Sequence, residues 1–280
     1  MRLNITHLIL KRWIKMSKIN LKKIAICMVW ILIIFTPQIF AAPAIRVMAA
    51  ASLQEPLNEI KEKFESKQDE YELEINYAGS QVLYSQIKLG VEFDLFLSAN
   101  QHYLEQLKNE NLIGKNNIFA KNELIIIINS NKKKVDNLEE LISKKYSLII
   151  GDASVPVGDY TVEMINYYLN SISDKERKKR LRNNFNSAVV SREFDVKSVL
   201  NKVKIGAANA GIVYLSDYNQ DKTLHKVRIP AKYNVEAVYY MGLSQYSKTG
   251  AVKFYNYIFS NPAQEIFEKY NFQAGEKING

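Results

Sequence analysis

The sequence predicts an α/β protein of two lobes, and three observations predict it. Short β-favouring apolar runs alternate with helical patterns along most of the chain, as expected of mainly parallel sheets covered by helices. Two long apolar strands, near Glu123 and near Val235, lie far apart in sequence. If they run side by side, the segment between them becomes an inserted second lobe, each lobe holding roughly 110 to 120 residues, an ordinary domain size. The chain is long enough for this, with 280 residues of which 47% are hydrophobic and 24% charged, and it shows no internal repeat.

The first 43 residues stand apart. Lys22 and Lys23 precede the apolar run Ile24 to Phe35, and Thr36-Pro37 and the small residues Ala41, Ala42 and Ala44 follow, in the order of the n, h and c regions of a secretory signal peptide. Cleavage is expected near 41–44, and the run is shorter than the ~20 residues that span a bilayer. Met16 is an alternative start that gives a more ordinary signal length. Seven of the 38 basic residues precede Ala44, leaving 31 against 29 acidic ones, so the mature chain carries about +2 and offers no broad basic surface to a nucleic acid. The single cysteine, Cys27, lies inside the apolar run, poorly placed for lipidation. The mature chain then has neither disulfide nor thiolate metal site. These features imply a soluble periplasmic protein without a lipid anchor.

Ile45 to Met48 reads as the first strand. Ser52 follows, with Glu55 three residues on, a Ser-x-x-Glu capping box at the head of a helix from about Leu53 to Phe64. Ser52 is therefore either a plain N-cap or part of an anion site at the positive end of that helix. Glu72 to Tyr77 alternates as a strand, Ala78-Gly79-Ser80 turns, and a helix runs from about Gln81 to Leu89. Asp94 to Ser98 is a buried strand, Gln101 to Asn109 a helix, and Glu123 to Asn129 a central strand. The run Lys132-Lys133-Lys134 lacks interleaved aromatics and reads as a solvated loop. A short helix (Asp136 to Ile142) and a strand (Ser147 to Ile150) lead into Gly151-Asp152. Beyond Val157-Gly158, helical spacing spans Tyr160 to Leu169. Ser173 to Arg182 is an exposed helix or loop, Asp195 to Val203 a helix, and Ala210 to Tyr214 a strand. Val235 to Leu243 is the second long strand. Helices from about Gly250 to Phe259 and Ala263 to Tyr270 close the chain, separated by Asn261-Pro262.

Enzyme chemistry finds little support. His102 and His225 sit among polar residues in segments read as surface, so a Ser52 triad needs one of them to reach a cleft with an acid behind it. No Gly-x-Ser-x-Gly, His-Glu-x-x-His, phosphate loop or dinucleotide fingerprint occurs. Asp94 and Asp152 lie near strand ends without a spacing that pairs them. What remains is a set of helix starts, at Ser52, Ser80, the Val157-Gly158 turn and Val196, each presenting backbone N–H groups, with Tyr214 at the end of a strand. In parallel α/β sheets such points share the carboxyl edge, where ligands bind.

These residues also carry a resemblance. Ala49-Ala50-Ala51-Ser52-Leu53, Tyr77-Ala78-Gly79-Ser80, Asp94-Leu95-Phe96-Leu97-Ser98-Ala99-Asn100, Val155-Pro156-Val157-Gly158-Asp159-Tyr160 and Gly211-Ile212-Val213-Tyr214-Leu215-Ser216-Asp217 resemble, in order over nearly the whole mature chain, the periplasmic molybdate-binding proteins of ABC transporters. The resemblance implies a two-lobe periplasmic binding protein of the type II Venus-flytrap kind, each lobe a mostly parallel sheet flanked by helices. The lobes would be 44–122 with 234–280, and 123–233. It implies a monomer that closes on one molybdate or tungstate ion, with no further cofactor, and passes it to an inner-membrane ABC permease. Its implied ligand set is Ser52 and Ser80 from one lobe and Val157, Val196 and Tyr214 from the other, holding the oxyanion without touching its metal. Two departures from the family pattern are Gln81, where many relatives carry a small polar residue, and Val157, where alanine is frequent. If Val157 offers only its N–H, the site is unaffected; if its side chain intrudes, the pocket is tighter. Physically, a dianion with four acceptors and no proton suits a dry pocket of neutral donors at helix N-termini, and cavity size would separate it from sulfate. A receptor for sulfate or another small oxyanion, and a serine hydrolase using Ser52, are the alternatives.

Overall fold

The computed structural model describes residues 10–12, 44–218 and 221–275. By its contacts the chain divides into two compact units, 1–41 and 42–280. Of the first, only residues 10–12 are described, as an exposed helical turn; the signal-peptide reading, Cys27 and most of the alternative leader lie outside the described residues. No described helix is long and apolar enough to cross a membrane.

The second unit begins with strand β1 (Ala44–Ala50), a 3₁₀ turn (Ala51–Leu53) and helix α1 (Gln54–Lys67), then β2 (Glu72–Ala78), α2 (Ser80–Lys88), β3 (Leu95–Ser98) and α3 (Gln101–Asn109). The long β4 (Ile113–Asn129) leads to α4 (Leu138–Ser143), β5 (Leu148–Gly151), α5 (Pro156–Asn170), α6 (Lys175–Ala188), β6 (Val189–Glu193) and α7 (Val196–Lys204). The chain then runs through β7 (Ala210–Tyr214), α8 (Leu215–Tyr218), β8 (Leu224–Arg228) and β9 (Glu236–Ser244), and ends with α9 (Thr249–Ile258), α10 (Asn261–Lys269) and β10 (Gln273–Ala274).

The strands order as β2-β1-β3-β9-β4-β7-β5-β6. β1 is parallel to β2 and β3, and β5 is parallel to β6 and β7, while β9 is antiparallel to β3 and β4. The two long strands pair, with Glu123 opposite Glu236. β4 serves both parts of the sheet: up to Glu123 it pairs with β9, and from Leu124 onward β7 and β8 flank it on either side. Leu124 to Ile128 are all fully buried, which is why five apolar residues run there without alternation. Ile45, Val47, Leu57, Ile60 and Phe64 belong to the main core, while Met48, Leu83, Ile87, Phe96, Leu104 and Leu107 form a second cluster. Burying each such side chain contributes about 1.5–3 kcal/mol, and α1 packs on the main core while α2 packs on the second cluster.

Several expectations need correction. Ser52 does not cap a helix: Ala50 and Leu53 occupy the N-cap positions of the 3₁₀ turn and α1, without side-chain caps, so the Ser-x-x-Glu box does not form. α5 starts at Pro156 instead of Tyr160, because proline is well suited to the first turn of a helix. Likewise Asn261-Pro262 opens α10 instead of merely ending α9. The first half of β4 gave no strand pattern because bulges at 113–116 and 118–120 break the two-residue period. β6, with its half-exposed burial pattern, and β8 are further unexpected strands. α6 extends to Ala188, with Asp174 capping its N-terminus.

Candidate functional site

All five expected ligand residues meet in one cavity. Ser52 follows β1, Ser80 follows β2, Val157 follows β5, Val196 follows β6, and Tyr214 ends β7. The cavity they line is shared with Ala99 after β3 and with Asp195, and it contains no lysine or arginine. Every one of these strands contributes its carboxyl end, so two sets of parallel strands point their following turns at the same space. Its volume is about 20 Å³, far below the roughly 300–1,000 Å³ that takes drug-sized ligands, and the five residues are only 1–4% exposed. Such a place suits one small ion stripped of water.

Each turn brings donors. The first amides of α2, α5 and α7 have no acceptor within their own helices, and the positive helix ends there favour negative charge. In α5, Pro156 has no N–H, while the amides of Gly158 and Asp159 bond to the Val155 carbonyl, leaving Val157 as the first amide available. Gly158 is required there: a Cβ would stand 1.8 Å from the Asp152 carbonyl oxygen. Val157 Cγ1 lies 2.7 Å from where a Gly151 Cβ would be, so this side chain packs on the end of β5 and the residue's remaining contribution is its backbone. α7 is capped by Asp195, whose carboxylate accepts from the Ser198 amide at 2.8 Å and its hydroxyl at 2.7 Å.

The hydroxyl groups differ in their partners. Ser80 Oγ accepts from the Ala99 amide at 3.2 Å. Ser52 Oγ lies 2.9 Å from the Tyr239 hydroxyl on β9. The Tyr214 hydroxyl is buried without a hydrogen-bond partner among the described residues. Its ring is fixed edge-on between Tyr239, at 5.8 Å between centroids, and Tyr160, at 6.5 Å. Burial pushes the phenols of Tyr214 and Tyr239 well above their ordinary pKa, and neighbouring phenols and Asp217 add to it. Both are neutral O–H groups at any physiological pH.

An ion chain adjoins the cavity. Asp217, three residues past Tyr214, accepts from the Tyr214 amide at 3.3 Å and pairs with Lys197 at 3.0 Å. Burial raises the Asp217 carboxyl, opposed by Lys197. Burial works against the Lys197 charge, but Asp217 and Glu55 outweigh it and the ammonium is held above its usual value.

The catalytic alternatives do not assemble. Ser52 bonds to a tyrosine, and neither histidine lines the cavity: exposed His102 bonds to Gln106, and exposed His225 lies on β8 opposite Ile128. Asp94 is bound to the Arg46 amide and Asp152 to Ser154, at different ends of different strands. A wider cleft of about 550 Å³ lies at the amino ends of β1 and β3, lined by Arg46, Glu92, Asp94 and Lys248. Arg46 is half-exposed and already paired with Glu92, and none of the five expected residues reaches it. Among the described residues no three or more His, Cys, Asp or Glu side chains gather as a metal site. The sequence reading missed Tyr239, which has no local motif and meets Ser52 only through the fold. It also missed the Asp195 cap, which Asp195-x-x-Ser198 makes legible.

A family model described as bacterial extracellular solute-binding protein matches residues 45–273. The chain is 30% identical to a Bacillus subtilis protein named as an ABC transporter substrate-binding lipoprotein, YvgL, over 81% of this chain and 85% of that one. It is also 30% identical to the molybdate-binding protein ModA of Mycobacterium tuberculosis, over 71% of each. A solved substrate-binding domain named for a molybdenum ABC transporter of Clostridium difficile superposes with a TM-score of 0.63 at 28% identity, covering 83% of this chain and 99% of that one.

Proposed function

Because the chain belongs to the bacterial extracellular solute-binding protein family, we propose that it captures molybdate or tungstate in the cavity between Ser52, Ser80, Val157, Val196 and Tyr214. It then delivers the ion to an ABC permease in the membrane. The observation that carries this reading is the Tyr214 hydroxyl, buried and without a hydrogen-bond partner among the described residues, in the cavity that the starts of three helices line. An unsatisfied buried donor costs about 1–3 kcal/mol, and an oxyanion would supply its acceptor. Ser52 and Ser80 donate from one side, the Val157 and Val196 amides and Tyr214 from the other. Neutral donors fit a fully ionised, proton-free dianion, and the role is binding, with Ser52 a donor instead of a nucleophile.

The two sides correspond to lobes of 44–122 with 234–280, and 123–233, joined where β4 passes from β9 to β7 and β8. The protein works as a monomer in the periplasm after its leader is removed, without a lipid anchor, since Cys27 lies within the apolar run. Calorimetry on the purified mature protein tests the reading. Micromolar or tighter binding of molybdate or tungstate, with sulfate at least tenfold weaker in competition, is the expected result. Tighter binding of sulfate makes the protein a sulfate receptor instead, and no heat with any of the three ions overturns the oxyanion reading.

A further inference from the structure

Side-chain bonds tie the two sides of the cavity together, and they flank its ligand residues. Glu55, three residues past Ser52, meets the Lys197 ammonium at 2.6 Å. Lys197 follows Val196 directly and is held from its other side by Asp217, at 3.0 Å, three residues past Tyr214. One ionic chain thus links the turns that carry Ser52, Val196 and Tyr214. Gln81, next to Ser80, donates to the Phe194 carbonyl at 2.7 Å, two residues before Val196. The approach there is close, since a Cβ on Gly79 would stand 2.4 Å from the same carbonyl oxygen.

The ionic chain is not symmetric. The Asp217 side chain is wholly buried and Lys197 is 15% exposed, whereas Glu55 is 43% exposed. Lys197 and Asp217 sit on one side of the cavity and Glu55 on the other. If the sides part, Lys197 keeps Asp217 and no buried charge is left unpaired, the case that would be most costly. Only the half-exposed contact to Glu55 breaks. A structural ion pair buried within one body lacks this property, and a contact made on closure requires it.

We propose that Lys197 is a positioning residue for oxyanion capture: anchored by Asp217, it engages Glu55 only when the two sides meet, and thereby slows release of the bound ion. The proposal rests on the oxyanion reading above. It places the effect in dissociation, because the contact forms after the ion has entered. Its size is modest and salt-sensitive, because Glu55 is near solvent.

Glu55→Gln removes the crossing contact while leaving the buried Lys197–Asp217 pair intact, so the variant is expected to fold. Release of radiolabelled molybdate into an unlabelled excess is followed for wild type, Glu55→Gln and Glu55→Lys, together with calorimetric affinity and the Tm of ligand-free protein. Release is expected to quicken roughly two- to fivefold in Glu55→Gln and further in Glu55→Lys, with association and ligand-free Tm unchanged and the differences shrinking in high salt. Equal release rates, or a loss confined to association or to Tm, overturn the latch while leaving the receptor reading standing. A wild-type protein that binds no oxyanion overturns both.

Discussion

Ser52 Oγ and the Tyr239 hydroxyl lie 2.9 Å apart although 187 residues separate them in sequence. Because Tyr239 is buried and its phenol holds its proton firmly, it can donate to Ser52 and leave the serine's own O–H free to face an anion. Tyr239→Phe is therefore expected to weaken molybdate binding by a few-fold, less than Ser52→Ala, which removes a donor outright at about 1–3 kcal/mol. The two losses should not add: in the Tyr239→Phe background, Ser52→Ala costs less, as expected for groups in one network. Calorimetry on the four proteins of the cycle checks this, and strict additivity would show that Tyr239 does not orient Ser52.

Tyr214→Phe separates binding from stability. The hydroxyl has no partner among the described residues, so deleting it removes a buried unsatisfied group and should leave the ligand-free protein as stable or up to ~1 kcal/mol more stable. Its affinity for molybdate should nevertheless fall by roughly 1–3 kcal/mol, a factor of about 5 to 150. Thermal unfolding with and without molybdate reads both quantities. A variant that loses stability and keeps affinity would mean that Tyr214 serves packing alone.

Local turn and helix-start patterns picked out these positions one by one, while their grouping as one candidate ligand set came from the family resemblance they carry. Ser80 and Val196 lie at helix starts that turn residues and hydrophobic period locate, whereas α5 begins at Pro156, ahead of the Tyr160 start that the period suggests, and the strand before Val196 carries no clear pattern. The core strands read well from local pattern: Leu124 to Ile128 can only be buried on both faces. What did not read was set by distant neighbours. The bulged half of β4 follows β9 instead of a two-residue period, and β6 is half-exposed in its placement beside β5. The Ser-x-x-Glu pattern at Ser52 does not form a capping box, since Ser52 lies within a 3₁₀ turn ahead of α1 and Glu55 pairs with Lys197.

Val157 decides whether an unusual side chain alters selectivity. Its Cγ1 packs against the end of β5 at Gly151, and the residue is 2% exposed. Val157→Ala is expected to lower unfolding free energy by about 1–2 kcal/mol through the lost methyl contacts, while the ratio of molybdate to sulfate affinity stays within twofold. Urea titration and ion competition measure the two effects. A marked shift in that ratio would mean that the side chain shapes the cavity.

Alkaline pH gives a test of the buried phenols that is independent of any ligand. Tyr214 and Tyr239 have pKa values raised in the fold, first by burial, relative to about 10 in the unfolded chain. A raised folded value means that the contribution to stability is complete below the unfolded pKa and is lost as pH climbs from there towards the folded pKa. Above about pH 10 the unfolded chain sheds these protons first, and each such tyrosine lowers the unfolding free energy by about 1.4 kcal/mol per pH unit. Tyr214→Phe should therefore flatten the alkaline decline by close to one proton's worth, with no change in slope between pH 7 and 9. Molybdate affinity of the wild type should hold over that same lower range, because both phenols stay protonated. Urea unfolding at half-unit steps of pH, on wild type and variant, measures the slope, and identical declines in the two proteins would show that Tyr214 titrates as an exposed phenol.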